Sequence, residues 1–87
     1  MNETKPINVE RSSVYDNWLK KLNDPQARAR IIVRTKRLEK GNPGDVEPVG
    51  EGISEMKINY GPGYRVYYKE IRKNIIILLC GGNKRRQ

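Results

Sequence analysis

Apolar residues recur along this chain with two different periods, and the change falls near residue 53. Before it, Val14, Trp18 and Leu22 stand at i, i+4 and i+8 with Leu19 beside them. That spacing predicts an amphipathic helix beginning near Ser12 or Ser13. Asp24-Pro25 reads as the start of a second helix, with Asp at the N-cap and Pro in the first helical position. Ala27, Ile31 and Leu38 form its apolar stripe, and Gly41 ends it. The short break between the two predicts an αα-hairpin, helix one against helix two. Ahead of them, Lys5 to Arg11 alternates around Ile7 and Val9 and reads as a short strand.

The stretch from Asn42 to Gly52 holds three of the eight glycines and two of the five prolines, and it reads as a structured loop. After it the period is two. Ser54, Met56, Ile58 and Tyr60 point one way, and Glu55, Lys57 and Asn59 the other. Gly61-Pro62-Gly63 is a turn. From Tyr64 to Lys69, Tyr64, Val66 and Tyr68 share one face and Arg65 and Tyr67 the opposite one. Asn74 begins a strand that is apolar throughout, Ile75 to Leu79, the pattern of a central strand covered on both sides. Gly81-Gly82 is expected to break it. The order is β-α-α-β-β-β. The expected core is Val14, Trp18, Leu22, Ile31, Leu38, Met56, Ile58, Val66 and Ile77.

At 87 residues the chain has room for one small α+β domain, residues 1–87. Lys and Arg number 18 and Asp and Glu 10, a net charge of +8 that suits a polyanion or an acidic protein as partner. The charge is uneven: residues 25–40 are net +5, 41–56 net −4, 57–87 net +7 and 1–24 neutral. The single cysteine, Cys80, excludes an internal disulfide. With no histidine, a structural zinc site and Ser-His-Asp or Cys-His nucleophilic machinery are excluded too. Acid–base chemistry would fall to Lys, Arg, Tyr or carboxylates. The longest apolar run, Ile75 to Cys80, is too short to span a bilayer, and the N-terminus lacks a signal-peptide pattern, so a cytoplasmic location is expected.

Three groups of residues carry candidate chemistry. Arg30, Arg34 and Arg37 stand at i, i+4 and i+7 on the second helix. They read either as a solvated face or as a track for phosphates. Glu55, Lys57, Arg65 and Tyr67 share the polar face of neighbouring strands, about 5 Å from their cross-strand neighbours. They read either as polar-out alternation with a cross-strand Glu–Arg pair or as a ligand-facing cluster. The third group is the basic end Lys84-Arg85-Arg86. Cys80 and Trp18 read as core. Gly61-Pro62-Gly63 lacks the strand-to-helix context of a phosphate loop.

Several linked segments resemble one branch of the RelE/ParE toxin superfamily, the HigB/RelE-like addiction module killer proteins. They are Asp24-Pro25-Gln26-Ala27-Arg28-Ala29-Arg30-Ile31 with Arg37-Leu38 and Gly41-Asn42, then Gly44 to Met56, then Tyr60-Gly61-Pro62-Gly63-Tyr64-Arg65-Val66-Tyr67-Tyr68, and finally Leu78 to Lys84. The likeness runs from about Tyr15 to Lys84. It implies a RelE-like α+β domain with two helices on one face of a small twisted, mainly antiparallel sheet, the other face being the working surface. It implies a type II toxin acting as a ribosome-dependent mRNA endonuclease, with the ribose 2′-OH attacking the adjacent phosphate and no metal or other cofactor.

That reaction needs a base, a cation for the phosphorane and an acid for the leaving oxygen. By position, Arg65 matches the sheet arginine that holds the scissile phosphate, and Lys57 and Glu55 occupy the strand of the acid–base groups. Lys84 matches the lysine after the glycine pair; Tyr67 and Gln87 are further candidates. Arg30, Arg34, Arg37, Lys84, Arg85 and Arg86 are the expected RNA and ribosome contacts. The implied partners are an acidic antitoxin of helix-turn-helix, HigA-like type, the ribosome and mRNA. The family's usual ending, Gly-Gly-Asp-Lys-Ser-x-Gln and a further helix, is expected to be short here. ParE-type members share the fold and inhibit DNA gyrase without cutting RNA, and an inactive antitoxin-binding member is a further alternative.

Overall fold

The computed structural model describes residues 7–83. Along them run β1 (Asn8–Arg11), α1 (Ser13–Lys21), α2 (Pro25–Glu39), β2 (Val46–Gly50), β3 (Ile53–Ile58), β4 (Tyr64–Arg72) and β5 (Ile75–Asn83). The strands form one sheet in the order β1-β5-β4-β3-β2. Only β1 and β5 are parallel; the other three pairs are antiparallel. Both helices lie over one face, so this is the expected α+β architecture with one strand more than expected.

Caps set the helix limits. Ser12 accepts from the Tyr15 backbone N–H at the start of α1, and its hydroxyl donates to the Leu79 carbonyl, tying the helix to β5. Asp24 accepts from Gln26 and Ala27 at the start of α2, with Pro25 in the first turn. At the other end the Gly41 N–H donates to Leu38 and the Asn42 N–H to Arg37, with Gly41 at φ +80°, a Schellman ending. Instead of packing helix on helix, α1 lies mainly on β5 and α2 on β1 and β3.

The core joins Tyr15, Ala27, Ile31 and Leu38 from the helices to Met56, Ile58, Tyr64, Val66, Tyr68, Ile76 and Leu78 from the sheet. Trp18 and Leu22 are partly buried against it. Two expected core members are displaced. Val14 is 61% exposed and Tyr15 is 1% exposed, because the inward stripe of α1 runs Tyr15, Trp18, Leu19, Leu22 rather than in steps of four from Val14. Ile77 is half-buried on the helix-free face; only Ile76 and Leu78 of β5 face the helices fully. The strand is therefore covered on one side, not two.

The glycine pair does not break β5, which continues to Asn83. A Cβ on Gly81 would fall inside the Trp18 indole, so this glycine is the recess that seats the tryptophan. The acidic stretch expected as a loop contains β2. Its turn into β3 places Glu51 at φ +57° and Gly52 at φ +75°, the left-handed pair that a tight hairpin needs.

Candidate active site on the open sheet face

Along β3, buried Met56 and Ile58 alternate with Glu55 and Lys57; along β4, buried Tyr64, Val66 and Tyr68 alternate with Arg65 and Tyr67. The pleat therefore turns Glu55, Lys57, Arg65 and Tyr67 to the face without helices. Register sets Lys57 opposite Arg65 and Glu55 opposite Tyr67. The ion pair is diagonal: Arg65 Nη1 lies 3.1 Å from Glu55 Oε1, both side chains under a fifth exposed. The Tyr67 hydroxyl donates to the second oxygen, Glu55 Oε2, at 2.9 Å. Burial, and then the bond to Glu55, raise the Tyr67 pKa above its ordinary value, so the phenol keeps its proton and remains a donor.

Lys57 does not join this pair. Its Nζ donates to Glu47 Oε1 at 3.0 Å, across the sheet edge. Glu47 was not among the expected site residues, because it stands in the strand that reads as a loop. The sequence signals it only by the apolar–acidic step from Val46 to Glu47, and the register that sets Glu47 beside Glu55 is seen in the structure. β5 adds to this face. Cys80, expected in the core, is half-buried here opposite Tyr67, and Gly82 stands opposite Arg65 with no atom within 4 Å of where its Cβ would be. Gly82 thus leaves open space on the β5 side of Arg65.

This arrangement can bind an oxyanion and move a proton. A guanidinium offers five N–H donors in a planar fork, and Glu55 engages one side of that fork. An arriving phosphate would compete for Arg65 and release Oε1 of Glu55 as a proton acceptor. Among the described residues no three His, Cys, Asp or Glu side chains come together as a metal cluster.

The arginine stripe of α2 divides. Arg34 turns inward: Nη1 donates to the Lys57 carbonyl at 2.7 Å and Nη2 to the Pro43 carbonyl at 2.9 Å, while Nε is buried without a partner. Burial lowers its pKa from the usual arginine value. It fastens α2 to the strand that carries Lys57. Arg30 stacks over the Tyr60 ring, 4.5 Å from its centroid, and Arg37 is exposed. Lys84, Arg85, Arg86 and Gln87 lie outside the described residues.

No family model matches the chain. Over 81 residues it is 46% identical to an uncharacterized protein of Haemophilus influenzae, a match that covers 93% of this chain and 82% of that protein. The chain belongs to the family of that protein. Among solved structures it is similar to a chain of the RelBE2 toxin–antitoxin complex from Mycobacterium tuberculosis. The TM-score is 0.72 at 18% identity, covering 91% of this chain and 99% of that one. The fold is RelE-like.

Proposed function

We propose that this chain is the toxin of a type II toxin–antitoxin pair and cuts mRNA on the ribosome. The observation that carries the reading is the joining of Arg65, Glu55 and Tyr67, with Lys57 in register opposite Arg65, on the helix-free face of a RelE-like sheet. In this reading Arg65 holds the non-bridging oxygens of the scissile phosphate. Glu55 takes the proton of the 2′-OH as the 2′-oxygen bonds to phosphorus. The phosphorus–O5′ bond then breaks, leaving a 2′,3′-cyclic phosphate, and the Lys57 ammonium donates a proton to the leaving 5′-oxygen. Tyr67 orients Glu55. An antitoxin protein, acidic and of HigA-like type, would neutralise the activity.

Sequencing of mRNA 5′ ends after induction tests this. Cuts within translated codons are expected from the wild-type chain. Arg65→Ala is expected to lower cutting about a hundredfold, the usual cost of roughly 3 kcal/mol for losing a donor to a developing charge. Arg65→Lys is expected to recover only part, since it keeps the charge and loses the fork. Intact mRNA with an SOS response would point to the gyrase-inhibiting relatives of this fold.

A further inference from the structure

Lys57 is fixed from outside the strand pair that carries the site. Its backbone N–H donates to the Asp45 carbonyl at 2.9 Å. Its carbonyl accepts from Arg34 Nη1 at 2.7 Å. A strand residue sends both backbone groups to the same side, so these two bonds turn the backbone of Lys57 away from β4. The Lys57–Arg65 pair is therefore of the kind that exchanges no ladder bonds, in which Cα atoms approach to about 4.5 Å and side chains lie closest. We infer that Arg34 is a positioning residue for Lys57: it holds the backbone from which the ammonium reaches the open face opposite Arg65. The role rests on the reading above, in which Lys57 protonates the leaving oxygen.

The support stands where the sheet itself gives out. The register sets Val46, the first residue of β2, opposite Met56, so Lys57 lies just beyond the β2 ladder. There α2 supplies a donor through the Arg34 side chain. Its other terminal nitrogen, Nη2, donates to the Pro43 carbonyl at 2.9 Å. One planar fork thus joins α2, the loop before β2, and β3. The loop is shaped around that fork. Gly44 has φ +78°, and a Cβ there would lie 2.8 Å from Arg34 Nη2. Glycine at this position supplies both the left-handed backbone and the room for the guanidinium.

The two bonds and the buried Nε direct Arg34 into the protein, whereas a phosphate contact needs the fork turned outward. A lysine at this position keeps the charge but has no planar fork to span two carbonyls. Catalysis is sensitive to such support, since a displacement of about 1 Å at the reacting atoms can cost about a hundredfold in rate. Arg34 touches neither the phosphate nor the leaving oxygen in this scheme, so its effect passes through Lys57.

The test is cutting of mRNA on ribosomes by the full chain, with kcat and KM measured separately. Arg34→Ala is expected to lower kcat about tenfold and to leave KM within about twofold of wild type. Arg34→Lys is expected to recover only part of the loss. Gly44→Ala, which displaces the guanidinium and keeps its charge, is expected to lower kcat as well. In a Lys57→Gln background, Arg34→Ala is expected to change kcat by less than about twofold, because the two residues act as a unit. Hydrogen exchange supplies a readout apart from cutting: in Arg34→Ala the Lys57 amide is expected to exchange about tenfold faster while the Val66 amide is unchanged. A raised KM with unchanged kcat, full recovery by Arg34→Lys, or an equal loss in the Lys57→Gln background would overturn the proposal. So would faster exchange at Val66 and Lys57 alike, which would make Arg34 a general support of the fold. If instead Lys57→Gln cuts as well as wild type, the role given to Lys57 fails, and exchange at Lys57 decides whether Arg34 holds its backbone.

Discussion

Glu55 accepts from Arg65 on one oxygen and from Tyr67 on the other, while Lys57 is drawn away to Glu47. Alternation alone put the first four of these on one face, since a strand sends every second side chain to the same side. What alternation cannot state is which carboxylate pairs with which cation, because that depends on a diagonal contact and on a strand hidden behind Pro48. Tyr15 shows the same limit within a helix. Several apolar stripes can be drawn through α1, and only contact with the sheet chooses the one through Tyr15. Its burial, with the Asp16 charge second, pushes the phenol up to about 12 from 10.0. Between those values the unfolded chain has released a proton that the folded chain keeps. Stability therefore falls as pH rises through that window. Tyr67 and Tyr68 are raised as well and act in the same direction. Urea midpoints at pH 9 and pH 11 are expected to drop more for wild type than for Tyr15→Phe. Equal drops would remove burial of Tyr15 as a cause.

Elements bounded by side-chain caps were legible from their ends: Ser12 and Asp24 open the two helices and Gly41 closes the second. β2 was not, since its five residues contain a proline and a glycine and it lies at the sheet edge. An edge strand needs only one side of its hydrogen-bond ladder, so the missing N–H of Pro48 is tolerated there. Gly81 misled in the opposite direction. A glycine pair after an apolar run looks like a stop, yet this glycine lies within β5 because α1 brings Trp18 against it. Gly81→Ala is expected to destabilise by about 2 kcal/mol, in the range for overpacking a filled core. In a Trp18→Leu background the same change is expected to cost much less. Denaturant midpoints at constant m give the coupling between the two sites. Additive costs would show that the Trp18–Gly81 contact does not set the position of α1 on the sheet.

Across the whole molecule, charge is the property most plainly written in the chain and least plainly placed by it. The net charge of +8 includes Arg34, which is spent on backbone carbonyls, and Arg30, which lies over a tyrosine on the helix side. On the open face, β3 and β4 present Lys57, Arg65 and Lys69. These alternatives differ in how binding of single-stranded RNA depends on salt. Each phosphate neutralised on a single strand contributes about −0.7 to the slope of log affinity against log salt. Three contacts give about −2, and a chain coated through all of its excess charge gives about −6. Contact by Lys84, Arg85 and Arg86 in addition to the open face gives about −4. The expected slope lies between −2 and −4, with Lys57→Gln and Arg65→Gln each making it shallower by about 0.7. A slope near −6, or one that neither substitution changes, would mean that RNA is held by diffuse charge rather than by the face that carries Arg65.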